Sequence, residues 1–97
     1  MKSVVELRRR LEALKPELAA AYKVREIGIF GSYARGEQRE RSDLDVLVEF
    51  SEPISLFRFI ELEVYLSEML GVKVDLVMRD ALKPRLRERI IGEVVYA

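Results

Sequence analysis

The chain has 97 residues, 35% of them charged and 49% hydrophobic, and its 17 basic and 17 acidic side chains cancel to a formal net charge of zero. That length accommodates one domain with one modest core, burying about two thirds of the surface the unfolded chain exposes, and the balanced charge argues against long-range steering toward nucleic acid or an anionic membrane. Neither cysteine nor histidine is present, which excludes disulfides, structural zinc, thiol nucleophiles and imidazole bases, so that any metal needs oxygen ligands.

Ser3-Val4-Val5-Glu6 has the form of a capping box and predicts a helix that starts at Val4. Val4, Leu7, Leu11 and Leu14 recur at helical spacing, with Arg8, Arg9, Glu12 and Lys15 on the other faces. Pro16 lacks an N–H and disfavours α geometry at Lys15, which predicts a kink or break there and a short helix from Leu18 to Tyr22. No apolar run approaches about 18 residues and the opening is charged, so neither a membrane span nor a signal peptide is expected, and the reading is a soluble cytoplasmic protein.

Val24 to Phe30 and Asp43 to Phe50 read as the first two strands, rich in β-branched and aromatic residues, with Pro53 closing the second. Between them, Glu37 to Arg41 reads as a solvated loop. Ser55 to Leu70 predicts a helix stopped by Gly71. It carries one apolar stripe of Phe59, Leu62, Leu66 and Met69 and a second of Phe57, Ile60 and Val64, a broad arc that either lies deep under a sheet or meets a partner. Val72 to Met78 reads as a third strand with Asp75 inside it. In the tail, Leu82, Leu86, Ile90 and Ile91 recur at helical spacing, and Pro84 is tolerable only near a helix start.

The chemistry concentrates between Gly31 and Asp45. Gly31-Ser32 follows a strand, and a short helix opening at Ser32 would aim N–H groups and a positive dipole end at an anion, the glycine allowing close approach. Arg35 has two uses open to it, a charge-assisted bond to a phosphate or a clamp on a carboxylate such as Glu37. Gly36 permits that helix to end, and Glu37 reads as structural. Asp43 and Asp45 stand two apart, hence on one face of a strand.

Of the chain's aspartates, Asp43, Asp45, Asp75 and Asp80, the first three fall in predicted strands, where this residue is depleted. If the second and third strands are neighbours, three carboxylates converge. Each like-charged pair at about 4 Å then costs on the order of 4 kcal/mol at an effective dielectric near 20, a cost that protons or cations must offset. A few carboxylates with open positions suit Mg²⁺ or Mn²⁺. The stretch is not a P-loop, because Gly31 to Glu37 lacks the Gly-Lys-Ser/Thr ending, and not an EF-hand, because Asp45 runs into apolar sequence. By itself an Asp-x-Asp pair is more often two surface acids than a metal site.

Taken together, Gly31-Ser32, ten residues, then Asp43-x-Asp45, with Ala34-Arg35-Gly36-Glu37 and Ser42 between and a lone Asp75 one helix later, resembles the polymerase β-like nucleotidyltransferases. More narrowly, the chain resembles the minimal nucleotidyltransferases, the antitoxin partners of HEPN toxins, over essentially its whole length. The resemblance implies an α+β fold, a small mixed sheet of three to four strands with helices packed on it, and a single minimal nucleotidyltransferase domain spanning residues 1–97.

It further implies two-ion nucleotidyl transfer with Mg²⁺, Mn²⁺ being an alternative. Asp43 and Asp45 would hold the ion that binds the triphosphate, and Asp75 would join them at a second ion that lowers the pKa of the acceptor hydroxyl. Gly31, Ser32 and Arg35 are the phosphate-binding candidates. The activity implied is transfer of AMP from ATP to a tyrosine of a cognate HEPN toxin, as the antitoxin of a type VII pair. Larger relatives carry a helical domain that binds the acceptor, so here the acceptor face is expected from a second protein or a second copy of the chain. Two other readings remain: a module that masks its toxin sterically with a vestigial site, and a small-molecule nucleotidyltransferase.

Overall fold

In a computed structural model describing residues 2–97, helix α1 (Val4–Tyr22) is followed by strands β1 (Val24–Phe30) and β2 (Leu44–Phe50), helix α2 (Leu56–Leu70) and strand β3 (Val74–Met78). A short 3₁₀ turn (Arg79–Ala81), helix α3 (Pro84–Glu93) and a two-residue strand β4 (Val95–Tyr96) complete it. Ser3 caps α1 as predicted, accepting from the Glu6 N–H at 3.2 Å, but the Glu6 carboxylate pairs with Arg10 and does not return the bond. α2 stops at Gly71 as predicted, and Ser55, expected as its first residue, instead caps it by accepting from the Arg58 N–H at 3.1 Å.

The expected break at Pro16 does not occur, and α1 runs through it. Pro16 is exposed, so the carbonyl that lost its donor can be hydrated. Leu7, Leu11 and Leu18 on the opposite face are fully buried. Seating all three offsets the roughly 3 kcal/mol that an interior proline costs.

The sheet is mixed, in the order β3-β2-β1-β4. β1 pairs antiparallel with β2 and with β4, and β2 pairs parallel with β3 through the α2 crossover. Alternation along β2 divides its side chains between two faces. Leu44, Val46 and Val48 enter the main core with Ile27, Ile29 and the leucines of α1 and α2, while Leu47 turns to the other face and packs with Phe30 and Ile90 of α3. The β4 strand, unforeseen as a segment, fits beside β1 because Gly28 lacks a Cβ, which would collide with the Val94 side chain and the β4 backbone.

The β3 edge is closed by α2, whose Ser67 Oγ accepts from the Val74 N–H at 2.9 Å and whose Glu63 carboxylate accepts from the Leu76 N–H at 2.8 Å. Those two acceptors satisfy donors that an open edge would offer to another strand. Of the two apolar stripes on α2, Leu62 and Leu66 are buried with Leu70, and Phe59 is half-buried. Met69 is not part of the core: it is 47% exposed, as are Val64 (51%), Ile60 (47%) and Phe57 (80%). No helix among the described residues is long and apolar enough to cross a membrane.

Candidate active site

Asp45 is the register partner of Asp75 across the parallel β2–β3 pair and of Phe30 across the β1–β2 pair. It shares the α3 side of the sheet with Leu47, two residues further on. Asp43 lies one residue before β2 begins, displaced from the strand in which the sequence placed it. The topology therefore brings Asp43, Asp45 and Asp75 to one end of two neighbouring strands.

Backbone register and ligand geometry diverge here. Among the described residues no three acidic side chains stand close enough to form a ready metal cage. Asp43, 45% exposed, leans toward Lys73 Nζ at 3.9 Å. Like charges on adjacent strands repel, and the exposed aspartate has a lysine to turn to. Burial first, then the charges of Asp75 and Asp43, push the Asp45 carboxyl above its ordinary range, with Arg35 pulling the other way. A site that strains against its own negative charge is one that a cation relieves.

Gly31 ends β1 and turns the chain with φ +74°, a left-handed conformation that side chains other than glycine rarely adopt. A Cβ at this position would also run into the Asp45 carboxylate. Both constraints act at once, so the glycine is what lets the turn lie against the acid. Residues 31–36 form hydrogen-bonded turns in place of the expected regular helix: the Arg35 N–H donates to the Gly31 carbonyl at 3.1 Å, and the Glu37 N–H to the Ser32 carbonyl at 2.9 Å. Gly36, at φ +70°, ends them. Tyr33 packs in the main core at 3% exposure, a structural side chain.

Arg35 clamps Glu37, Nε to Oε1 at 2.8 Å, the structural use open to it from sequence. It also reaches a partner that sequence reasoning missed. Glu93, at the end of α3, takes the Arg35 guanidinium on both carboxylate oxygens at 3.3 Å and accepts from the Gly31 N–H at 3.1 Å. One signal for it was present: an acid in the last turn of a helix sits at the negative end of the helix dipole, where it is disfavoured unless something else holds it.

The assembled features are a glycine turn with a backbone donor and an arginine, set against half-buried Asp45, with Asp75 as its register partner and Asp43 just before the start of the same strand. Such an arrangement can bind a polyanion and its counter-cations together. Residues 11–97 match the family model described as a nucleotidyltransferase domain. The chain is similar to the protein adenylyltransferase MntA of Thermococcus cleftensis, 51% identical over 96 residues that make up 99% of this chain and 97% of that one. A solved structure of a minimal nucleotidyltransferase, 42% identical, superposes with a TM-score of 0.81 over 97% of this chain and 95% of its own. A chain from a toxin–antitoxin complex solved with AMP-PNP, 26% identical, superposes with a TM-score of 0.75 over 92% of this chain and 70% of that one.

Proposed function

Because the chain belongs to the nucleotidyltransferase family, we propose that it transfers AMP from ATP to a hydroxyl of a second protein, a tyrosine of a cognate HEPN toxin, and thereby acts as the antitoxin of a type VII pair. The observation that carries this reading is the register pairing of Asp45 with Asp75 directly beside the Gly31 turn. The similarity to a protein adenylyltransferase supports a protein acceptor, and the toxin–antitoxin chain solved with AMP-PNP supports both an adenine nucleotide and a toxin partner.

Asp43, Asp45 and Asp75 fit a divalent cation, Mg²⁺ or Mn²⁺. They are hard oxygen donors, His and Cys are absent from the chain, and Asp45, whose carboxyl is raised first by burial and then by the like charges of Asp75 and Asp43, carries negative charge that a cation would offset. When bound, such ions supply neutralisation of the triphosphate and a lowered pKa at the acceptor hydroxyl. Asp43, exposed and 3.9 Å from Lys73, has room to turn toward the other two. The Gly31–Ser32 turn receives the β- and γ-phosphates, and Arg35 adds a charge-assisted bond on the same side. In the transfer, the acceptor hydroxyl gives up its proton to solvent as its oxygen attacks the α-phosphorus in line, the bond to the bridging oxygen breaks, and pyrophosphate leaves with that electron pair.

The test is incubation with labelled ATP, Mg²⁺ and the product of the neighbouring gene. Label is expected on a tyrosine of that protein and is expected to vanish in Asp43→Ala and in Asp45→Ala. Undiminished labelling by both variants overturns the assignment.

The exposed stripe of Phe57, Ile60 and Val64 favours a second, steric contribution, in which α2 docks on the toxin. Phe57→Glu or Val64→Glu then abolishes toxin neutralisation while leaving the fold intact. If steric masking is sufficient, Asp43→Ala rescues cells from the toxin as well as the wild type does.

A further inference from the structure

The Gly31 N–H and the Arg35 guanidinium are donors a phosphate would need, and in this structure both are engaged by one carboxylate. Glu93 accepts from the Gly31 N–H at 3.1 Å and meets the terminal nitrogen of Arg35 with both oxygens at 3.3 Å. Its side chain is 23% exposed, held against the turn from a position 62 residues away in sequence. A carboxylate and a phosphate oxygen recognise such donors in the same way, and a single N–H serves one acceptor well at a time.

Glu93 also adds negative charge to the end of the sheet where Asp45 already faces Asp75 and Asp43. Neither its place in the helix nor its acidic neighbours favours it there; the turn and Arg35 do. The contact is therefore one that an incoming polyanion can replace, with the displaced carboxylate moving to solvent and leaving α3 anchored by Ile90 against Phe30 and Leu47.

We propose that Glu93 is a resident competitor for the phosphate seat: it fills the Gly31–Arg35 anion site until a triphosphate displaces it, and by returning it helps expel pyrophosphate. This inference rests on the reading of the Gly31–Ser32 turn as the phosphate seat. Its consequence is selectivity for ligands that bring several negative charges together, because a lone phosphate gains too little from the remaining donors to replace a carboxylate already in place.

The experiment is calorimetric titration of inorganic tripolyphosphate and pyrophosphate, with and without Mg²⁺, into wild type, Glu93→Gln and Glu93→Asp, with the Gly31 amide followed by ¹H–¹⁵N correlation. Removing the charge is expected to tighten polyphosphate binding about tenfold, the worth of one charge-assisted hydrogen bond, with Glu93→Asp between the two because its carboxylate is drawn back by one methylene. In the wild type the Gly31 amide resonance is expected to move on saturation as its acceptor changes. Equal or weaker binding by Glu93→Gln, with the wild type binding normally, overturns the competitor role and leaves the phosphate seat standing. A Gly31 resonance that does not move on saturation does the same. No binding to any of the three proteins overturns the phosphate seat itself. Thermal melts of each variant establish that it is folded, and Glu93→Asp, which keeps the charge, carries the comparison if Glu93→Gln does not fold.

Discussion

Strand β2 carries two acids on the same face, one on each side of Leu47, and the chain treats them in opposite ways. Glu49 is paired twice, with Arg79 at 2.7 Å and Arg25 at 3.5 Å, and its side chain is 19% exposed. Asp45, four residues earlier, stands opposite another aspartate, follows a third in sequence, and is offset only by the charge of Arg35, which is tied to Glu37 and Glu93. One carboxylate is neutralised within the fold; the other is left with its charge uncompensated. Buried or half-buried charge is costly without a partner, so the unbalanced end is where a ligand is to be expected and the balanced end is architecture. What separates a functional acid from a structural one here is the charge around it, since residue type and strand position are nearly the same.

The largest test of this contrast is on transfer activity. Asp45→Ala is expected to lower the rate of nucleotidyl transfer by about a thousandfold or more, the scale on which electrostatic stabilisation of a transferring phosphoryl group acts. Glu49→Gln is expected to leave it within about twofold. Equal losses from the two substitutions, measured in the same labelled-ATP assay, would collapse the distinction.

Next in size is Gly31→Ala, which forces a side chain into left-handed backbone and against Asp45. Denaturant unfolding is expected to show a loss of about 2 kcal/mol, together with weakened nucleotide binding. A stability equal to the wild type would mean that the turn relaxes freely and does not hold the acid.

The smallest effect has opposite signs at the two ends. Burial and like charge raise the folded-state pKa of Asp45 above its unfolded value. Ionised Asp45 therefore costs stability at neutral pH, and the cost is relieved as pH falls through the raised pKa and is gone below the unfolded value of about 4. Asp45→Asn is accordingly expected to raise the melting temperature without added cation by a few degrees at about pH 7, with the gain fading in acid. The wild type closes the gap when Mg²⁺ and nucleotide are added, since they bind the folded state alone. Glu49→Gln, which strips two arginines of a charged partner, is expected to lower the melting temperature by a similar small amount. A loss of stability from Asp45→Asn would refute the view that this carboxylate is left strained.

Much of the molecule is legible from local chemistry. Ser3 and Gly71 bound their helices through a single side chain and a single backbone angle, and each acts where the sequence places it. Alternation along β2 marks Leu44, Val46 and Val48 as core, since side chains two apart share a face whatever lies above them. The Gly31-Ser32 and Asp43-x-Asp45 spacing is itself local, and so the candidate phosphate turn and the acid pair could be named from it. Pro16 is the instructive failure: a local rule with a cost of about 3 kcal/mol lost to the burial of three leucines.

The sequence by itself determined which residues are chemically unusual, the aspartates in strands, the glycine turn and the charge-neutral surface without histidine or cysteine, because those follow from residue type and short-range spacing. Only the tertiary structure decided which of them meet. The β3-β2-β1-β4 order placed Asp75 opposite Asp45, α3 brought Glu93 onto the Gly31 amide, and the second stripe of α2 was left uncovered. Each of these joins segments separated by many residues, and such contacts are set by how the two faces of the sheet are filled, which no local window of sequence contains.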